Sequence, residues 1–169
     1  MSAMRLTAEQ RGYIIVGHCL LAIVINVVIN GLIGWLTFRG VDPVPIWGVE
    51  SSGGPDLIGT SLFLPAITCL IVTPIVRRHV RAGKVASITD ALPGWLRPFR
   101  RRLPARAAFF GLAGLAGVGS AVAAALLTLG PDAMPLATFL GVKVAYSGAL
   151  GGLVQPMIGV VALSDPVDA

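Results

Sequence analysis

Residues 12–38 read GYIIVGHCLLAIVINVVINGLIGWLTF, a run without acid, lysine or arginine that is closed by Arg11 on one side and Arg39 on the other. A hydrocarbon layer about 30 Å thick is crossed by roughly 20 helical residues rising about 1.5 Å each, so this run is long enough to span a bilayer. It has no period-two alternation, and lipid offers no water to satisfy an exposed backbone, so it reads as a helix and not as a barrel strand. Its apolar stretch is about twice the length of a signal-peptide core, and no A-x-A-like site follows before Trp35, so it reads as a retained span. Thr7 and Gln10 stand at the spacing of a capping box just ahead of it.

Three further apolar runs without acid or arginine occupy residues 57–76, 107–130 and 136–163. The whole chain is 55% hydrophobic and only 12% charged, about half the charge of a soluble domain. The expected fold is an all-α integral membrane protein, a single membrane domain over 1–169 whose four transmembrane helices form two hairpins of a four-helix bundle. Such composition excludes a disordered chain, and two cysteines are too few for a disulfide scaffold. Cys19 and Cys69 lie in different spans and outside any CxxC, so nothing suggests redox or zinc chemistry.

Charge sets the expected orientation. The connection 77–106 carries Arg77, Arg78, Arg81, Lys84, Arg97, Arg100, Arg101, Arg102 and Arg106, whereas the first connection has only Arg39 and the last has none. By the positive-inside rule the basic loop faces the cytoplasm, and with four spans both termini do too. Asp165 and Asp168 at the C-terminus are among the acids that fall on the inner side, although acids count little in that rule. Trp95, Arg100, Arg101 and Arg102 interleave apolar and basic character in a way that suits an anionic lipid surface, although the same charges serve as a plain topology determinant. No nucleic-acid-binding motif accompanies them. Asp42, Glu50 and Asp56 lack the spacing of a calcium loop and are expected to be solvated.

Polar residues inside the spans are the candidate functional groups. His18, Asn26 and Asn30 form a stripe at four-residue spacing with Ala22 and Gly34. The asparagines should face other helices, as interhelical contacts or substrate contacts. The second histidine, His79, falls in the basic loop, so one chain offers no pair of intramembrane haem ligands and no cofactor is expected. Lys143 is the one charged residue well inside a span. It either snorkels to the headgroups or faces inward, where Asn30, Ser61, Tyr146 and Ser147 are the expected partners because no acid lies within the spans. Small residues at four-residue spacing, including Gly117, Gly148 and Gly152, should pack the third and fourth spans closely, on each other or on a partner. An offset of 82 residues lays 57–59 on 139–141 and 72–76 on 154–158, matching Pro74 to Pro156; this is either a duplication or the chance likeness of apolar helices.

The stretches INVVINGLIGWLTF (25–38), LPAITCLIVTPIVRR (64–78) and FLGVKVAYSGALGGLVQPMI (139–158) resemble small, uncharacterised bacterial inner-membrane proteins with four spans. The resemblance implies the bacterial cytoplasmic membrane as location and carries no activity. Two functions fit the residues. One is a non-enzymatic accessory or scaffold protein that binds a membrane partner or anionic lipid. The other is a small homo-oligomeric transporter or channel for an anion or neutral solute, without proton coupling through a membrane carboxylate. No nucleophile with its base and no metal cluster marks an enzyme.

Overall fold

The computed structural model describes residues 6–48, 50–88 and 102–165. Four helices long and apolar enough to cross a membrane account for most of it: α1 (Ala8–Phe38), α2 (Gly53–Arg81), α3 (Leu103–Leu129) and α4 (Leu136–Leu163). At about 1.5 Å per residue each exceeds 30 Å in length. Two-residue strands β1 (Val44–Pro45) and β2 (Ala133–Met134) pair antiparallel and tie the first connection to the last. That end of the molecule is termed the ladder end, and the opposite one, where Arg77, Arg78, Arg81 and Arg106 lie, the basic end.

The expected start of α1 is present: Gln10 N–H donates to Thr7 Oγ1 (3.1 Å) and Thr7 N–H to Gln10 Oε1 (2.9 Å). A π-helical stretch, Tyr13–Cys19, widens the helix one turn later. At the far end of α2, Gly83 takes φ +67° and closes the helix, with Gly83 N–H on Val80 O and Lys84 N–H on His79 O. This pair of bonds is the Schellman arrangement, whose left-handed residue is usually glycine because it carries no Cβ.

The helices lie in a row. α1 packs on α4, α4 on α2, and α2 on α3, while the two helices of each sequence hairpin do not pack along their lengths among the described residues. The expected bundle is therefore a row with α2 and α4 at its centre. Burial follows this order: half of the apolar window of α4 is buried, against 6% for α1. The exposed side chains of α1 are large and apolar, such as Val16, Leu20, Val24 and Val28. In water such a face would be unfavourable by about 25 cal/mol per Å².

Close approach is permitted by glycines, though not between the third and fourth spans. Gly148 and Gly152 of α4 face Val27 and Ile23 of α1, where an added Cβ would lie 3.0 and 3.1 Å from their side chains. On α3 the contact is made by Gly111, Gly114 and Gly119 against α2, whereas Gly117 meets nothing within 4 Å. Gly117 thus packs on no other helix among the described residues, because it lies on the outward face of α3.

Prolines contribute through the carbonyls that they release, since a proline cannot donate to the residue four positions earlier. Pro65 frees the Ser61 carbonyl, and Gly114 covers it so tightly that any Cβ there would collide with the oxygen. Pro156 frees the Gly152 carbonyl, which accepts from Cys19 Sγ of α1 at 3.5 Å.

At the basic end Asp165 joins three elements. Its carboxylate accepts two bonds from Arg106 (2.5 and 2.9 Å) and one from Arg77 Nε (2.7 Å), and Arg106 is wholly buried. Arg106 thus belongs to the interior of α3 rather than to a solvated loop, and the C-terminal acid is balanced by arginines of the same end. Ile88 N–H donates to Leu163 O and Gln10 Nε2 to Ala86 O, pinning residues 84–88 across this end.

Candidate functional site

Because α1 and α2 both rest on α4 and meet at the basic end, where Tyr13 Oη and His79 Nδ1 lie 2.7 Å apart, a groove of about 500 Å³ opens between them. Its sides are apolar, with Ile25, Ile29 and Ile33 from α1 and Phe63, Ile67 and Ile71 from α2. These six are each at least 45% exposed, so the groove opens sideways, toward the surface that a bilayer would cover. Polar groups occupy its floor and edges: Asn26 and Asn30 of α1, Asp56, Thr60 and Thr68 of α2, and Lys143 and Gln155 of α4.

Lys143 is 1% exposed and its ammonium pairs with the Asp56 carboxylate, bridging α4 to α2. Its stem passes over Gly34 of α1, where a Cβ would lie 2.8 Å from Lys143 Cδ. The side chain therefore does not snorkel, and its partner is none of those expected from sequence. The reason lies in the start of α2. Gly53, Gly54 and Pro55 look like a loop, yet they form the first turn of the helix, where proline is tolerated and an acid is favoured by the helix dipole. Asp56 is thereby carried inside the helix, at a depth one lysine stem from Lys143. The two charges cancel, so the groove offers no net charge to an anion.

The other acids of the first connection also have definite places. Asp42 accepts from Leu136 N–H and caps α4, while Glu50 is exposed.

The remaining expected site residues separate into two groups. Asn26 and Asn30 line the groove, with Asn30 Nδ2 donating to Asn26 O at 3.0 Å within α1. Ser61 and Tyr146 are not among the groove's lining residues and bond each other at 2.5 Å between α2 and α4. Ser61 Oγ also donates to Leu57 O, which leaves Tyr146 as the donor to Ser61. Ser147 donates to Val144 O and Asn26 O. Trp95, Arg100 and Arg101 lie outside the described residues, and Arg102 is exposed immediately before α3.

Gln155 is the functional candidate that sequence reading passes over. It is 1% exposed, lines the groove, and neither its Nε2 nor its Oε1 has a hydrogen-bond partner among the described residues. A glutamine within an apolar span is the signal that could have found it, by the same reasoning that selects Asn26. Among the described residues no cluster of three metal-ligating side chains occurs. No family model, curated protein or solved structure matches the chain.

Proposed function

We propose that this chain is a non-enzymatic, multi-pass protein of the bacterial cytoplasmic membrane that binds an amphipathic membrane molecule in the groove between α1 and α2. The groove carries the reading: apolar sides open toward lipid, with polar groups held only on its floor and edges. Its volume of about 500 Å³ suits a single small ligand, for which pockets run about 300–1,000 Å³. A transmembrane helix about 10 Å across and 30 Å long needs several times more space. As an accessory protein it would present or hold this molecule for a membrane partner, with the basic connection resting on anionic headgroups.

The basic end lies in the cytoplasm on this reading, together with both termini. Single cysteines introduced at Ser87 and Gly48, in a chain whose Cys19 and Cys69 are replaced by serine, test it. A membrane-impermeant maleimide applied to intact cells should label position 48 and spare position 87.

Transport is the second reading, favoured by the Lys143–Asp56 pair inside the groove. A buried pair of exchangeable charges spanning two helices is the kind of element that substrate or proton movement could open. Asp56 also removes the objection that no membrane carboxylate is available. Vesicles containing the protein, assayed for proton-linked flux of neutral solutes, separate transport from simple binding.

The binding reading itself is tested with a phospholipid bearing a diazirine on its acyl chain. Cross-links should concentrate on peptides containing Ile29, Phe63 and Ile67. Equal labelling of the exposed outer face of α3, at Leu112 and Leu127, would contradict it.

A further inference from the structure

Gln155 identifies the chemistry of the molecule that the groove takes. Its amide is buried at the groove with both polar atoms unpartnered among the described residues, an arrangement rare in folded proteins and unfavourable unless something arrives to bond it. A carboxamide places donors and an acceptor side by side, so its best complement is a neutral group that offers an acceptor and a donor together. The charged residues lining the groove, Lys143 and Asp56, are already paired, so no unbalanced charge there recruits an ionic head. Gln155 and Lys143 stand twelve residues apart on α4, about 18 Å along the axis at 1.5 Å per residue. Ile29, Phe63, Leu64 and Ile67 supply apolar lining suited to a chain running between these stations.

Resting on the groove reading above, we infer that the ligand is a neutral long-chain amide. Its amide group docks on Gln155, and its hydrocarbon chain lies along the groove toward Lys143. The polar head is then held below the bilayer surface by one reciprocal pair of hydrogen bonds, while the chain fills the apolar part.

The test uses the full chain in phosphatidylcholine nanodiscs, with tritiated tetradecanamide and tetradecane as probes and empty nanodiscs as the reference. Wild type, Gln155→Met and Gly59→Phe are compared. Gly59 lines the groove and has open space at its Cβ position, so phenylalanine there fills the groove without a collision at its first carbon. Wild type should hold the amide at least about tenfold more tightly than the alkane, the lower end of the scale for two net hydrogen bonds. Gln155→Met should bring the two probes level, leave alkane binding unchanged, and raise the thermal midpoint of the empty protein. Gly59→Phe should abolish binding of both.

Equal binding of the two probes by wild type, or an amide preference that survives in Gln155→Met, overturns the assignment of an amide. If Gly59→Phe still removes binding in either case, the groove reading stands without it. Probe binding that Gly59→Phe leaves intact overturns the groove reading itself, and no binding by wild type above empty nanodiscs overturns both.

Discussion

Lys143 of α4 and Asp56 of α2 form an ion pair inside the molecule, with side-chain exposures of 1% and 20%. Pairing within the interior offsets part of the cost of taking both charges out of water, but it makes each depend on the other. Removing one partner of a fully buried pair costs about 3–5 kcal/mol, and replacing both by apolar groups is often neutral. Asp56 is partly exposed, so the cost falls at or below the bottom of that range. Lys143→Met and Asp56→Leu should each lower stability by about 2–3 kcal/mol, and the double variant should recover most of the loss. A double-mutant cycle by reversible unfolding in mixed micelles measures this; simple additivity would show that the pair is not coupled.

Two glycines three residues apart on α3 should behave in opposite ways. Gly114 lies against the Ser61 carbonyl, where a Cβ collides with backbone that cannot move aside, whereas Gly117 has open space. Gly114→Ala should cost about 1–3 kcal/mol as an overpacked contact. Gly117→Ala should be neutral or raise stability by up to about 1 kcal/mol through helix propensity. Thermal unfolding of the two purified variants, side by side, checks the direction of both changes.

Asp165 fastens the end of α4 to α2 and α3 through Arg77 and Arg106. Asp165→Asn keeps the shape and removes the charge that both guanidiniums share. It should lower stability by about 3 kcal/mol or more. Protease sensitivity should rise at the basic end first, and limited proteolysis followed by peptide mapping would reveal it. A variant cleaved no faster than wild type would show that other contacts hold this end.

What the sequence makes legible depends on the range of the interaction. The four spans follow from lengths of apolar chain, a local property, and the Thr7–Gln10 cap follows from a spacing of three residues. The packing order does not follow, because apolar helices in lipid are equally apolar toward every neighbour. The row arises from where backbone can approach backbone, as at Gly114 on the carbonyl released by Pro65.

The same limit explains the site. Lys143 is readable as the charge to examine, since an isolated cation within an apolar run is unusual. Its partner is hidden because Gly53–Gly54–Pro55 resembles a turn, so Asp56 is assigned to solvent instead of to the first turn of α2. Asn26 and Asn30 are readable as polar residues facing an interior, while the separation of Ser61 and Tyr146 from the groove depends on helix rotation, which apolar faces on all sides do not report. Gln155 is readable in principle, and its missing partners are visible only once the surrounding helices are placed.

The central claim is that the groove between α1 and α2 holds a membrane molecule, and native mass spectrometry of protein released from mild detergent tests it most directly. Wild type should retain one bound amphiphile per chain, and Gly59→Phe, with the thermal midpoint of ligand-free wild type, should appear as the bare polypeptide. An identical bound mass on both proteins, or none on wild type taken directly from its membrane, would contradict the account.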